Sequence, residues 1–325
     1  MGLIKWLREV FTPCRTAEVT PEYSIASAKT LISWKGRDIE PYHWWPMKAA
    51  DDAAQYCNNL YAVGGGLDKY DKLFNTKSVE YQMGHHYRSA ASLETDADWA
   101  GFCDCAATLS CLYTYPKLDV TVYYNGVSTR FNRKDIEALM IVACHNTVNH
   151  KAFEFYGERY NSKLDDTGEP DPLKLINILK TLCVSKVPFA MDVAQKAAVW
   201  NYAYNGVEVT VTPIPPYINT DKILKLKSDG LTNLAYYNFI IKSDAYPDKN
   251  LNIWGWSGQV VTLTGVHSKS GWLSDKHPDF IWRKYPLEKD WSGSCNINPE
   301  VSASNVFKIY QASLIQGIGC SIINL

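Results

Sequence analysis

Two cysteines open the helical part of the segment DADWAGFCDCAATLSCLYTY, residues 97–116, and their positions predict different roles. Successive residues of an α-helix lie about 100° apart, so Cys103 and Cys105 point to nearly opposite sides. Cys105 shares its face with Leu109 and Leu112, and such an apolar stripe is what a helix buries. We therefore expect a structural role for Cys105.

Cys103 has the surroundings of a reactive thiol. It shares its side of the helix with Ala107 and Ser110, whose small side chains would let another layer approach closely. It also lies in the first turn, where the partial positive charge of the helix lowers the pKa of a thiol and the N–H groups can bind an oxyanion. Burial without chemistry is the commoner fate of a cysteine, so this position alone does not decide between the two roles.

A reactive thiol needs a base, and the seven histidines of the chain include one prominent candidate. His277 lies in GWLSDKHPDFIW, residues 271–282, between Asp275 and Asp279 and among aromatic residues. A carboxylate beside an imidazole fixes its tautomer and stabilises the imidazolium. Residues i and i+2 of a strand share a face, so either aspartate could orient His277 and both alternatives stay open. A plain surface loop is the competing interpretation.

The elements before residue 187 are mostly helical. GGGLDKYDKLF, residues 64–74, predicts a glycine turn that leads into a helix, and RKDIEALMIVACHNTV, residues 133–148, has helical apolar spacing. Between them, alternating residues on either side of Asn125-Gly126 predict a hairpin. A further helix is expected to begin at Pro172, because proline is favoured in the first position of a helix.

Strand patterns dominate after Val187, so the sequence predicts an α+β protein in which helices precede a mainly antiparallel sheet. Within this half, KILKLK at residues 222–227 is interpreted as the solvated face of a strand. We expect an N-terminal arm at residues 1–30, followed by a single domain at residues 31–325.

Composition excludes several classes of protein. The 33 basic and 34 acidic residues give a net charge of −1, which argues against a dedicated nucleic-acid binder. No run approaches the roughly 18–20 apolar residues that cross a bilayer, and the N-terminus lacks the apolar core of a Sec signal. The localisation is therefore left unassigned, between the cytoplasm and export by a non-Sec route. Nine cysteines, an odd number, indicate a mostly reduced chain.

Seven segments form a recognisable set. The most specific are WAGFCDCAATLS around Cys103 and HPDFIW around His277. Supporting segments occur in HWWPMKAADDA…LDKYDKLF (43–74), FNRKDIEALMIVA (131–143), FYGERYN (155–161), VPFAMDVAQKAAVWNYAYNGVEV (187–209) and NPEVSASNVFKIYQAS (298–313). Together they resemble the transglutaminase-elicitor family of thiol acyltransferases, over about residues 40–315.

The resemblance implies a papain-like or transglutaminase-like core, with the thiol on a helix and the base on a facing sheet. It implies Cys103 as nucleophile and His277 as general base, with Asp279 or Asp275 as the orienting carboxylate.

Neighbouring strands would supply the substrate pocket. Asp192 and Asn201 are its polar candidates in this resemblance. Trp99 or Trp200 would form the wall of the acyl pocket or donate an indole N–H to the oxyanion.

The implied reaction is acyl transfer from a protein glutamine side chain to a lysine or another amine. The expected partners are therefore a protein or peptide with a glutamine donor and an amine acceptor, and no nucleic acid. Hydrolysis by the same fold, as a glutamine deamidase or a cysteine peptidase, is the closest alternative, and a catalytically silent binding module is the alternative from another class.

The acidic stretch DDTGEPD, residues 165–171, lacks calcium-loop spacing and is interpreted as a solvated turn. No cofactor is expected, and calcium dependence is left open.

Overall fold

The computed structural model describes residues 28–45, 60–85, 101–148, 152–158, 169–193, 199–214, 219–274, 276–295, 297–315 and 319–325. Within these ranges the chain has a mixed α+β architecture, with seven α-helices and three mainly antiparallel sheets. The α+β prediction is therefore confirmed. No helix in the described part of the chain is long and apolar enough to cross a membrane.

The helices are α1 (Gly66–Phe74), α2 (Ser78–His85), α3 (Cys103–Leu112), α4 (Arg133–Val148), α5 (Pro172–Val184), α6 (Asp221–Ser228) and α7 (Ala303–Ser313). The strands are β1 (Lys29–Lys35), β2 (Asp119–Tyr124), β3 (Val127–Phe131), β4 (Phe153–Gly157), β5 (Phe189–Asp192), β6 (Asn201–Tyr204), β7 (Gly206–Pro213), β8 (Thr232–Lys242), β9 (Leu251–Thr262), β10 (Gly265–Trp272), β11 (Phe280–Lys284) and β12 (Cys320–Asn324).

The largest sheet has the antiparallel order β1-β7-β8-β9-β10. Helix α5 packs on one face of this sheet, where Pro172 lies so close to Gly255 that an added Cβ would overlap its ring. Helix α6 packs on the other face through Ile223 and Leu226, which share a small core with Tyr236. The sheet therefore separates α5 from α6.

A four-stranded sheet, ordered β4-β11-β5-β6, has two apolar faces because its side chains alternate. Its α5 face contributes Phe189, Met191 and Ile281 to the core that it shares with α5 and the five-stranded sheet. Its α3 face contributes Ala190, Ala203 and Trp282 to a core that also contains Ala107 of α3.

Helix α3 is packed on two sides. Ala107 is buried against the four-stranded sheet, as the small residues on that side of the helix predict. Cys105 and Leu109 are buried in the opposite core, with α4 and α7, so the predicted structural position of Cys105 is confirmed. The double packing fixes the start of the helix, where Cys103 lies.

The predicted hairpin is confirmed by β2 and β3. Asn125 and Gly126 have φ values of 45° and 81°, the left-handed conformations that a two-residue hairpin turn requires. Strand β12 adds to β2 in parallel, which completes a three-stranded sheet.

The helix predictions are confirmed at α1, α4 and α5, and Asp171 caps α5 by accepting the Lys174 N–H at 2.9 Å. The prediction for KILKLK is wrong, because residues 221–228 form α6. Ile223 and Leu226 are three residues apart, which places both on the buried side of a helix. In a segment as short as KILKLK, this helical spacing cannot be distinguished by pattern from the two-residue alternation of a strand.

The division into an arm and one domain stays a prediction. Residues 1–27 lie outside the described part of the chain, and β1 begins at Lys29.

Candidate functional site

Cys103 is the first residue of α3, and its sulfur faces the start of β6. The Phe102 N–H before it donates to the carbonyl oxygen of Trp44 at 2.7 Å, which anchors the beginning of the helix. The Sγ atom lies 3.7 Å from the carbonyl oxygen of Val199 and 3.6 Å from Nδ2 of Asn201. An acceptor and a donor therefore flank the thiol.

Asn201 is held in one orientation by a tryptophan. The indole Nε1–H of Trp282 donates to Asn201 Oδ1 at 2.9 Å on the α3 face of the sheet. An indole N–H only donates, so the atom that it contacts must be the amide oxygen. The Asn201 NH₂ group is thereby directed to Cys103, and Asn201 is only 8% exposed.

Asp192 lies beside Asn201 in the antiparallel β5–β6 pair. Its Oδ1 accepts the Trp200 N–H at 2.9 Å, and its main-chain oxygen accepts the Asp279 N–H at 3.1 Å. Alternation along β5 puts the Asp192 side chain on the same face as Ala190, towards α3. The structure therefore brings together three of the predicted residues, Cys103, Asn201 and Asp192.

Two tryptophans pack against each other beside this group. The rings of Trp44 and Trp200 meet edge to face with centroids 5.5 Å apart. Gly101 lies directly under Trp44, and a Cβ at this position would overlap the indole ring. Trp200 directly precedes Asn201 in the chain, and its role as a pocket wall stays a prediction. Trp99, the other expected wall residue, lies outside the described residues.

Burial of Cys103 opposes the effect on its pKa that the helix start predicts. Burial raises the pKa of its thiol from 9.0 to about 11, and the carboxylate of Asp104 raises it further, while hydrogen bonds from Asn201 lower it. Desolvation disfavours the charged thiolate in this position. The resting thiol is consequently neutral near pH 7, and a reaction at sulfur needs a proton acceptor.

Two contacts of His277 lie towards the core on the α5 face of the four-stranded sheet. Its ring stacks on Trp272, with centroids 5.3 Å apart and planes at 11°, and Trp272 packs against the core on the α5 face. Its Nδ1 lies 3.5 Å from Oε2 of Glu169. The contacts of Cys103, in contrast, run to Val199 and Asn201. The role of His277 as general base stays a prediction.

Glu169 is the carboxylate that sequence reasoning missed. It belongs to DDTGEPD, and the solvated-turn interpretation is wrong for Glu169, because its side chain is only 9% exposed. The neighbouring Pro170 carbonyl accepts the Trp272 Nε1–H at 3.2 Å, which holds this turn against the His277 segment. No local pattern signals a contact between residues so far apart in sequence.

The two carboxylates predicted to orient His277 have different outcomes. Asp279 is fully buried next to β5, through the bond from its N–H to Asp192. Asp275 lies outside the described residues. Which of them acts on His277 stays a prediction.

Among the described residues, no group of three His, Cys, Asp or Glu side chains converges as metal ligands.

Comparisons of the chain with protein-family models, with curated proteins and with solved structures find no match. The resemblance to the transglutaminase-elicitor family is therefore a prediction that these comparisons leave unsupported.

Proposed function

We propose that this chain is a thiol-dependent acyltransferase that acts on the side-chain carboxamide of protein glutamine, with a papain-like or transglutaminase-like arrangement of helix and sheet. The observation that carries the proposal is the pair of polar groups at the Cys103 sulfur. Val199 presents a carbonyl acceptor at 3.7 Å, and Asn201 presents an amide donor at 3.6 Å.

This pair matches the polar atoms of a primary carboxamide. The NH₂ group of a glutamine side chain can donate to the Val199 carbonyl, while its oxygen accepts from Asn201 Nδ2. An ester has no N–H to offer to Val199, so the site favours amides. Trp44 and Trp200 form an apolar wall that suits the methylene groups of the side chain.

The reaction requires removal of the thiol proton, because the pKa of Cys103 is raised to about 11. The thiolate attacks the carboxamide carbon, and the resulting oxyanion accepts hydrogen bonds from Asn201 and from the first-turn N–H groups of α3. The C–N bond breaks as the base returns the proton to the leaving ammonia. An amine then attacks the thioester, the C–S bond breaks, and the proton that the amine nitrogen loses is transferred through the base to the leaving thiolate.

Asp192 is the carboxylate to which we assign removal of the thiol proton. Its charge acts on Cys103, and it is the register partner of Asn201, which contacts the sulfur. The contacts of His277 with Trp272 and Glu169 lie towards the core on the α5 face of the sheet. The proposal therefore assigns the base to Asp192 and keeps His277 as the competing assignment from the sequence.

The test is incorporation of a fluorescent primary amine into a glutamine-containing protein, with ammonia release measured in parallel. We expect incorporation by the wild type and its loss in Cys103→Ala. Cys183→Ala is the matched control, because Cys183 is also half-buried and its burial likewise raises its pKa to about 11. Ammonia release without amine incorporation would indicate a deamidase. The absence of both ammonia release and amine incorporation would overturn the proposal.

A catalytically silent binding module is the second candidate. The raised pKa of Cys103 favours it, because a neutral thiol among buried groups is typical of packing. This alternative predicts no dependence of any acyl-transfer signal on Cys103.

A further inference from the structure

A cavity that does not include Cys103 in its lining lies between α6 and the β9–β10 hairpin. Its volume is about 510 Å³, and the described residues that line it include Lys222, Lys225, Trp256 and Lys269. The lysine-rich segment of α6, which the proposed reaction leaves unused, forms one of its walls.

The residues of α6 that line the cavity all lie on one face of the helix. Lys222, Lys225, Leu226 and Asp229 are spaced i, i+3, i+4 and i+7, the spacing of neighbours on one helix face. Leu226 is buried beneath the exposed lysines. This face therefore combines an apolar floor with a positively charged rim.

The hairpin supplies the opposite wall. Gly271 is the register partner of Trp256, and a Cβ at Gly271 would lie 2.9 Å from the indole nitrogen, so the close approach depends on glycine. Lys269 lies two residues earlier on the same strand face. Lys222 donates to the Trp272 carbonyl at 3.2 Å, which ties α6 to the end of β10.

The charge of the cavity calls for an anionic ligand. Three lysines face one aspartate, Asp229, around the cavity. In the described part of the chain, no carboxylate forms an ion pair with Lys225 or Lys269. Two cations on opposite walls of one cavity are therefore available to a ligand with several negative charges.

The edge of the sheet indicates that this ligand is an extended peptide. Strand β10 is the outer strand of the five-stranded sheet in the described residues, and it pairs only with β9 there. A peptide that adds to such an edge is held by main-chain hydrogen bonds, and its alternate side chains point to one face. On the face of Lys269, those side chains would meet the α6 lysines.

We propose that an acidic, extended peptide segment of the protein substrate adds to β10 and places alternate carboxylates between Lys225 and Lys269. Use of this groove by a substrate rests on the proposed function. Strand β10 ends at Trp272, and Asp279, which bonds to Asp192, follows seven residues later.

The test is direct binding of a labelled peptide with glutamate at alternate positions and no glutamine, followed by fluorescence anisotropy. We expect Lys225→Glu/Lys269→Glu to weaken binding by about tenfold or more. Lys227→Glu is the matched control, because Lys227 lies on the same helix, outside the cavity lining, and donates to Asn219 Oδ1. A peptide with serine in place of glutamate should bind weakly to all forms.

Three results would overturn the groove. These are no binding by the wild type, equal weakening by Lys227→Glu, and displacement by pyrophosphate at concentrations far below those of the peptide. A kinetic arm uses a substrate with the acidic segment: KM should rise about tenfold in the double variant while kcat is unchanged. Because the anisotropy arm needs no catalysis, a protein that binds the peptide but lacks acyl transfer would retain the groove and refute the proposed function.

Discussion

The four-stranded sheet separates two cores, and the two residues that the sequence singles out for chemistry have different partners around it. On the α3 face, Cys103 meets an amide that a tryptophan fixes. On the α5 side, His277 stacks on Trp272 and faces the carboxylate of Glu169. The first group is built around a sulfur, whereas the second orients an imidazole against an aromatic core. Two chemically promising segments therefore need not belong to one site.

Removal of the proposed base, Asp192, should cause the largest loss of kcat among the variants that compare the two groups. Asp192→Asn should lower kcat by about 10²–10⁴-fold, the range typical of a general base, while His277→Gln should cost less than about tenfold. The measurement is kcat for amine incorporation, with thermal melts to show that both variants fold. The acid limb of the kcat/KM profile should persist in His277→Gln. A larger loss of kcat in His277→Gln than in Asp192→Asn would indicate that His277 and Cys103 form one site, and it would refute the assignment of Asp192 as base.

The wall on the α3 face gives the next largest effect. Gly101→Ala introduces a Cβ that overlaps the Trp44 ring, so the wall beside Cys103 must move. Displacement of a positioned substrate by about 1 Å can cost about 10²-fold, and we expect this loss in kcat/KM. Gly84→Ala is the control, because a Cβ at Gly84 meets nothing within 4 Å. Equal kcat/KM values for Gly101→Ala and Gly84→Ala would show that Trp44 does not form part of the substrate pocket.

Trp282→Phe tests whether the fixed amide matters for catalysis as well as stability. It leaves Asn201 Oδ1 without its indole donor, and such a loss in a buried position costs about 1–3 kcal/mol of unfolding free energy. We expect a further loss of about tenfold in kcat, as Asn201 turns away from the sulfur. Trp291→Phe removes a similar buried bond, from Nε1 to the Tyr113 hydroxyl at 2.8 Å, and should change stability alone. Unchanged kcat in Trp282→Phe would contradict the role given to Asn201.

The smallest effect concerns the charge on the sulfur. Because the pKa of Cys103 is raised to about 11, its alkylation rate should still increase with pH above 9, where an ordinary thiol levels off. Asp104→Asn removes a group that raises this pKa, so alkylation at pH 9 should become about threefold faster. Asn201→Ala should make it slower. Alkylation of Cys183, read from its own peptide by mass spectrometry, should stay constant, and equal changes there would refute the local explanation.

Local chemistry decided which parts of this molecule could be predicted from the sequence. The hairpin at Asn125-Gly126 and the helix that follows Asp171 depend on nearby residues, and both were correctly predicted. The faces of α3 followed from helical periodicity alone. In contrast, KILKLK is too short to separate a helix from a strand by pattern.

The parts of the site that escaped prediction depend on contacts between distant segments. Glu169 meets His277 only because its turn packs against Trp272, and nothing local marks this contact. The helix start beside Cys103 is visible in the sequence, whereas the burial that raises the pKa of its thiol is not.

The central claim is that the Cys103 sulfur attacks a carboxamide beside Asn201. The most direct test is mass spectrometry of the intact protein after acid quenching of a reaction with a glutamine peptide in the absence of amine. We expect an adduct on Cys103 with the mass of the peptide less one ammonia, absent from Cys103→Ala and retained in Cys183→Ala. Peptide turnover with no adduct on Cys103, or an equal adduct in Cys103→Ala, would contradict it.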